Sequence, residues 1–114
     1  MTTIAEALDA FEGEWVETLA FTPQTAYRRT LRLLRMELGA RVDDPLDTLA
    51  ADDLRRFVTW HRAHGLADSA EGTRKAAVHV ARLGEFLGER YGAPDLAIPR
   101  DELRALAPDE EATA

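Results

Sequence analysis

Cysteine is missing from this 114-residue chain. A disulfide framework and a thiolate zinc site are therefore excluded. Lysine is almost missing too: thirteen of the fourteen basic residues are arginine, and Lys75 is the exception. Aromatic residues make up 7% of the chain, glycine occurs seven times and proline five. No apolar run approaches the roughly 18 to 20 residues that a membrane span requires, so no membrane partner is expected. The N-terminus has neither a basic start nor an apolar core of the secretory kind, and the expected location is the cytoplasm. There is no phosphate-binding glycine loop, no cofactor fingerprint and no nucleophile with a base partner. The expectation is no enzyme activity, no cofactor and no small-molecule substrate.

Acidic residues are plentiful. The formal net charge is −7, with 31% charged and 46% hydrophobic residues, the balance of a globular chain. The charge is unevenly placed. Residues 1–20 carry Glu6, Asp9, Glu12, Glu14 and Glu17 without a base, and residues 95–114 carry a net −4. The stretch between them is mildly basic.

Glycine and proline, though few, punctuate the chain. Ile4, Leu8, Phe11, Trp15 and Leu19 recur at helical spacing, which predicts a first helix over about 3–20 capped by Thr2 or Thr3, with Gly13 as a weak point. Thr22-Pro23 reads as a cap and first helical position. Tyr27, Leu31, Leu34 and Leu38 continue it as the apolar stripe of a helix over about 23–38, stopped by Gly39. Asp52 and Asp53 suit the start of a third helix, whose inner residues are Leu54, Phe57, Val58 and His61 and which ends at Gly65. Ser69 is the expected cap of a long fourth helix. It buries Val80, Leu83 and Leu87 and closes at Gly92 and Pro94. A last short helix is expected near 101–106, and 107–114 reads as a frayed acidic tail. No segment alternates at period two. The expected fold is all-α: a compact four-helix domain over 1–97, with 98–114 as an acidic C-terminal tail or the start of a linker.

His61, His64 and His79 form no metal-like pattern, and no metal site is expected. The arginines are the noteworthy polar feature. Arg28, Arg32 and Arg35 share one face of the second helix. They read either as a face for a polyanion or as a solvated flank pairing with Glu37, Glu12 and other acids.

The order of the segments carries further information. "FEGEW" is followed by "TPQTAYRRTLRLLRMEL", then "LAADDLRRFVTWHRAHG", then "SAEGTRKAAVHVARLGEFLGERYG". Thr25, Tyr27, Leu31, Asp53, Leu54, Phe57, Ser69, Thr73, Phe86 and Leu87 fall at or near the pattern of one family. The chain resembles the N-terminal core-binding, SAM-like domain of tyrosine recombinases, the phage-integrase and Xer-type enzymes, over about residues 5–97. The resemblance implies a non-catalytic domain that grips double-stranded DNA while a separate domain cleaves it. By position it nominates Gln24, Thr25, Arg28 and Arg32 on the second helix, and Ser69, Thr73, Arg74 and Lys75 at the start of the fourth. It also implies self-association through the first helix. The departures are an acidic net charge, Ala50 where the family caps its third helix with Thr or Ser, and the absence of the recombinase catalytic set. The alternative expectation is a stand-alone helical protein–protein interaction module without DNA binding.

Overall fold

In the computed structural model, which describes residues 1–107, Thr3 and Glu6 open the first helix by a reciprocal exchange. The Thr3 hydroxyl accepts from the Glu6 N–H at 3.1 Å, and the Glu6 carboxylate accepts from the Thr3 N–H at 2.9 Å. Two of the otherwise unpaired N–H groups of the helix start are satisfied this way. The helix, α1, runs Ile4–Glu14. It is shorter than its periodicity predicts. At Trp15 the backbone turns to φ −122°, ψ −53°, and a 3₁₀ turn follows at Val16–Thr18. Three contacts account for the break. The Trp15 ring lies 5.3 Å from Phe11 and 5.1 Å, edge-on, from Tyr27. The Thr18 hydroxyl donates to the Trp15 carbonyl at 2.6 Å, a local bond that competes with helix continuation.

The second helix, α2, spans Phe21–Leu38 with Ala20 at its N-cap. It begins before the Thr22-Pro23 signal, so Thr22 is not its cap. Pro23 is tolerated because the first N–H groups of a helix have no intrahelical acceptor, and the missing donor at the third position costs no bond. Gly39, at φ +59°, ends the helix. A 3₁₀ segment at Gly39–Asp43 and another at Leu46–Thr48 follow. The Ile4 N–H donates to Asp44 O at 3.0 Å and the Leu46 N–H to Thr2 O at 2.8 Å, which pins this loop to the start of α1.

The chain divides into two compact units, the first being Met1–Leu49 and the second beginning at Ala50. In the first unit, Ile4, Leu8, Phe11, Tyr27, Leu31, Leu34 and Leu38 are buried.

The second unit contains α3 (Ala51–Ala63), α4 (Ala70–Tyr91) and α5 (Arg100–Arg104). With Ala50 at its N-cap, α3 lacks a capping hydroxyl, but the Asp53 carboxylate still accepts from the Ala50 N–H at 2.8 Å. Leu54, Phe57, Val58 and His61 face inward as their spacing requires. Gly92 closes α4 in the left-handed conformation, and the Ala93 N–H returns to Gly88 O at 3.1 Å, a Schellman ending. A 3₁₀ turn at Pro94–Leu96 and then α5 pack back on α4. Leu96, Ile98, Leu103 and Ala107 are all buried. Within the stretch expected to be a tail or linker, Ile98, Leu103 and Ala107 are therefore anchored in this unit while the residues between them are mostly exposed; 108–114 lie outside the described residues. The fold is all-α: no strand occurs among the described residues, and none of their helices is long and apolar enough to cross a membrane.

Candidate nucleic-acid interface

One strip of α2 faces solvent. At 100° per residue, Phe21, Thr25, Arg28, Arg29, Arg32 and Met36 fall within about a third of the helix circumference, and all six are exposed. The opposite strip, from Tyr27 to Leu38, is buried. Burial of that apolar stripe therefore orients the arginines outward.

The nominated residues on this helix hold one another in place. The Gln24 side-chain oxygen accepts from Arg28 Nη1 at 2.9 Å, and its amide nitrogen donates to Glu17 O at 3.3 Å. Thr25 donates its hydroxyl to Phe21 O at 3.0 Å, which ties the first turn together. Arg28 lies 3.9 Å from both Glu12 and Glu17. Exposed pairs of that length contribute little, and the guanidinium can exchange them for a phosphate at small cost. Arg35 differs: its Nη2 donates to Asp9 at 2.6 Å and joins α2 to α1. Arg32 makes no ion pair among the described residues. Arg28 and Arg35 thus both lie beside acids of the first unit, Arg28 loosely and Arg35 closely.

The start of α4 departs further from expectation. Ser69 is exposed and sits at the N-cap, but its hydroxyl does not close on the helix; the Gly72 N–H bonds to the Ser69 carbonyl instead, at 3.1 Å. Thr73 is 1% exposed, and its hydroxyl lies 2.8 Å from His61 Nδ1 across the α3–α4 contact. It cannot meet a ligand from solvent, so its nomination is corrected: the hydroxyl satisfies a buried imidazole, as a buried polar group requires. The Arg74 side chain is 16% exposed. Its Nε and Nη2 donate to Glu71 at 3.2 and 2.7 Å, and Nη1 donates to Ala107 O at 3.1 Å. The hydrogen bond from Arg74, and then its charge, hold the Glu71 carboxyl below its usual range. Arg74 is thus engaged within its own unit. Lys75 is exposed.

The histidines go separate ways. His61 turns inward to Thr73, while His64 Nδ1 lies 3.0 Å from Trp60 O. Burial pushes the His79 imidazole down to about 4. No group of three or more potential metal ligands converges among the described residues. The exposed residues of α1 include Glu6, Asp9 and Glu14, of which Asp9 is paired with Arg35 and Glu6 with the Thr3 N–H.

Two features of the α2 strip have no counterpart in the sequence expectations. Phe21 is 81% exposed and Met36 65%. Phe21 precedes the Thr22-Pro23 signal, which places it outside the helix on sequence grounds; only the earlier start of α2 puts it on the arginine strip.

Comparisons of the chain with protein-family models, curated proteins and solved structures gave no match.

Proposed function

We propose that this chain is a non-catalytic helical module that binds double-stranded DNA in the cytoplasm, of the kind tyrosine recombinases carry beside their catalytic domain. The observation that carries the reading is the row Arg28, Arg29 and Arg32 on the solvent face of α2, with Gln24 and Thr25 alongside. Guanidinium groups in such a row suit phosphate oxygens and guanine edges. At the start of α4, in the second unit, Ser69 and Lys75 are exposed. The reading assigns no catalysis to this chain.

A chain of net charge −7 opposes a polyanion overall, so the affinity expected is that of non-specific binding, about 10⁻⁴ to 10⁻⁶ M. Three phosphate contacts would lower the affinity about 40-fold between roughly 50 and 200 mM salt. Titration of a labelled duplex by fluorescence anisotropy measures this directly. Joint substitution Arg28→Ala and Arg32→Ala should remove most of the binding and flatten the salt dependence. Unchanged binding by that variant, or no binding by the parent at low salt, would refute the reading.

A specific observation favours a second reading, the helical protein-interaction module. Phe21 and Met36 expose apolar surface at the two ends of the arginine row, and isolated anchors of this kind suit a protein partner. Absence of DNA binding at low salt would bring this reading forward.

A further inference from the structure

The exposure of Phe21 is not explained by phosphate binding. A phenyl ring 81% exposed at the first position of an 18-residue helix does nothing for a cation row that touches only backbone phosphates. Its position relative to the arginines is informative. Phe21, Thr25, Arg28 and Arg32 lie within about 60° of one another around the α2 axis, and Arg28 and Arg32 follow Phe21 by about 10 and 16 Å along it. The Thr25 hydroxyl fastens the Phe21 carbonyl, so the ring stands on an ordered first turn. A strip of cations ending in an accessible π face matches the two needs of nucleic acid with an unstacked base, charge for the backbone and a ring for the base. Intact B-form duplex offers no free base face to such a ring, whereas a bulged or unstacked base does.

Resting on the DNA-binding reading above, we infer that Phe21 is a stacking residue for one unpaired base adjoining the duplex gripped by Arg28 and Arg32, so that the chain favours locally opened DNA over continuous duplex. The ligand is a DNA duplex carrying a single extrahelical base. Charge complementarity with the arginine row selects nucleic acid over an apolar peptide.

The test compares two labelled duplexes of identical sequence, one continuous and one with a single bulged base, against the full chain. The parent should bind the bulged duplex about tenfold more tightly, the size of one base–aromatic stack. Phe21→Ala should abolish that preference and leave affinity for the continuous duplex within about twofold, since phosphate contacts are untouched. Phe21→Trp should keep it. Arg32→Ala should weaken both duplexes equally. Circular dichroism of each variant confirms folding, which an exposed side chain does not control. Equal binding of the two duplexes by the parent, or a preference that survives Phe21→Ala, overturns the inference while leaving duplex binding in place. Failure to bind either duplex overturns the DNA reading itself, and this inference with it.

Discussion

Replacing Gly84 by alanine should destabilise the second unit, although the same change in an exposed helix would stabilise it. Gly84 lies within α4, where alanine has the better intrinsic preference by about 1 kcal/mol. A Cβ at this position, however, would lie 2.0 Å from the Leu96 carbonyl oxygen and 3.0 Å from its carbon. Ordinary carbon–oxygen contacts are about 3.3 Å or longer, so the Pro94–Leu96 turn must retreat by more than about 1 Å. The obstacle is backbone, which cannot rotate out of the way as a side-chain end could. Leu96 and Ile98, 3% and 4% exposed, would move with it. Overpacking of this kind costs about 1–3 kcal/mol, and partly uncovering two aliphatic side chains adds about 2 kcal/mol. After the gain in helix preference, the net loss is about 2–4 kcal/mol. The two tryptophans allow a clean assay, because Trp15 belongs to the first unit and Trp60 to the second. Urea unfolding followed by Trp60 fluorescence in a Trp15→Phe background reports the second unit, with Gly84→Ala compared in the same background. Gly13→Ala in the first unit, followed by Trp15 fluorescence in a Trp60→Phe background, is the control, since nothing lies within 4 Å of its added Cβ; it should gain up to about 1 kcal/mol. A Gly84→Ala variant within about 0.5 kcal/mol of the parent would refute the close approach of the turn to α4.

Three further outcomes follow from individual contacts. Thr3→Ala should cost about 1 kcal/mol through loss of the reciprocal cap, whereas Thr22→Ala should change stability by only a few tenths; the reverse order in thermal melts would return the cap of α2 to Thr22. Thr73→Val keeps the shape and removes the hydroxyl from His61 Nδ1, with an expected cost of about 1–3 kcal/mol; a neutral result in urea unfolding would show that the hydroxyl is not needed in the core. Burial pushes the His79 pKa down to about 4 from the ordinary imidazole value of 6.5, so between these values the unfolded chain binds a proton that the folded chain does not. Stability should therefore fall as pH drops through that window, and His79→Gln should flatten the slope; an identical pH profile in the variant would exclude His79 as its source.

Helical spacing and punctuation made much of this molecule legible in the sequence. Period-3.6 apolar residues and the positive-φ glycines at 39, 65 and 92 follow from local chemistry, which is why the all-α class, the ends of α2, α3 and α4, and the inward faces of α3 and α4 agree with the structure. The start of α2 was less legible, because Pro23 is compatible with any position in a first helical turn and so does not mark which one. The break at Trp15 required Tyr27, twelve residues away, to pack against the ring. The candidate site divides in the same way. Periodicity alone turns Arg28 and Arg32 outward, clear of the buried stripe of Leu31 and Leu34. Periodicity did not exclude Thr73 from a binding face, because threonine suits either a phosphate or a buried partner, and His61 on another helix decided the matter. Arg74 was likewise indistinguishable from Lys75 until α5 and Ala107 folded back beside it. Local backbone preference acts within a few residues and is written in the sequence; the occupancy of a hydroxyl or guanidinium depends on which distant group the packed chain brings within about 3 Å, and only the tertiary structure determines that.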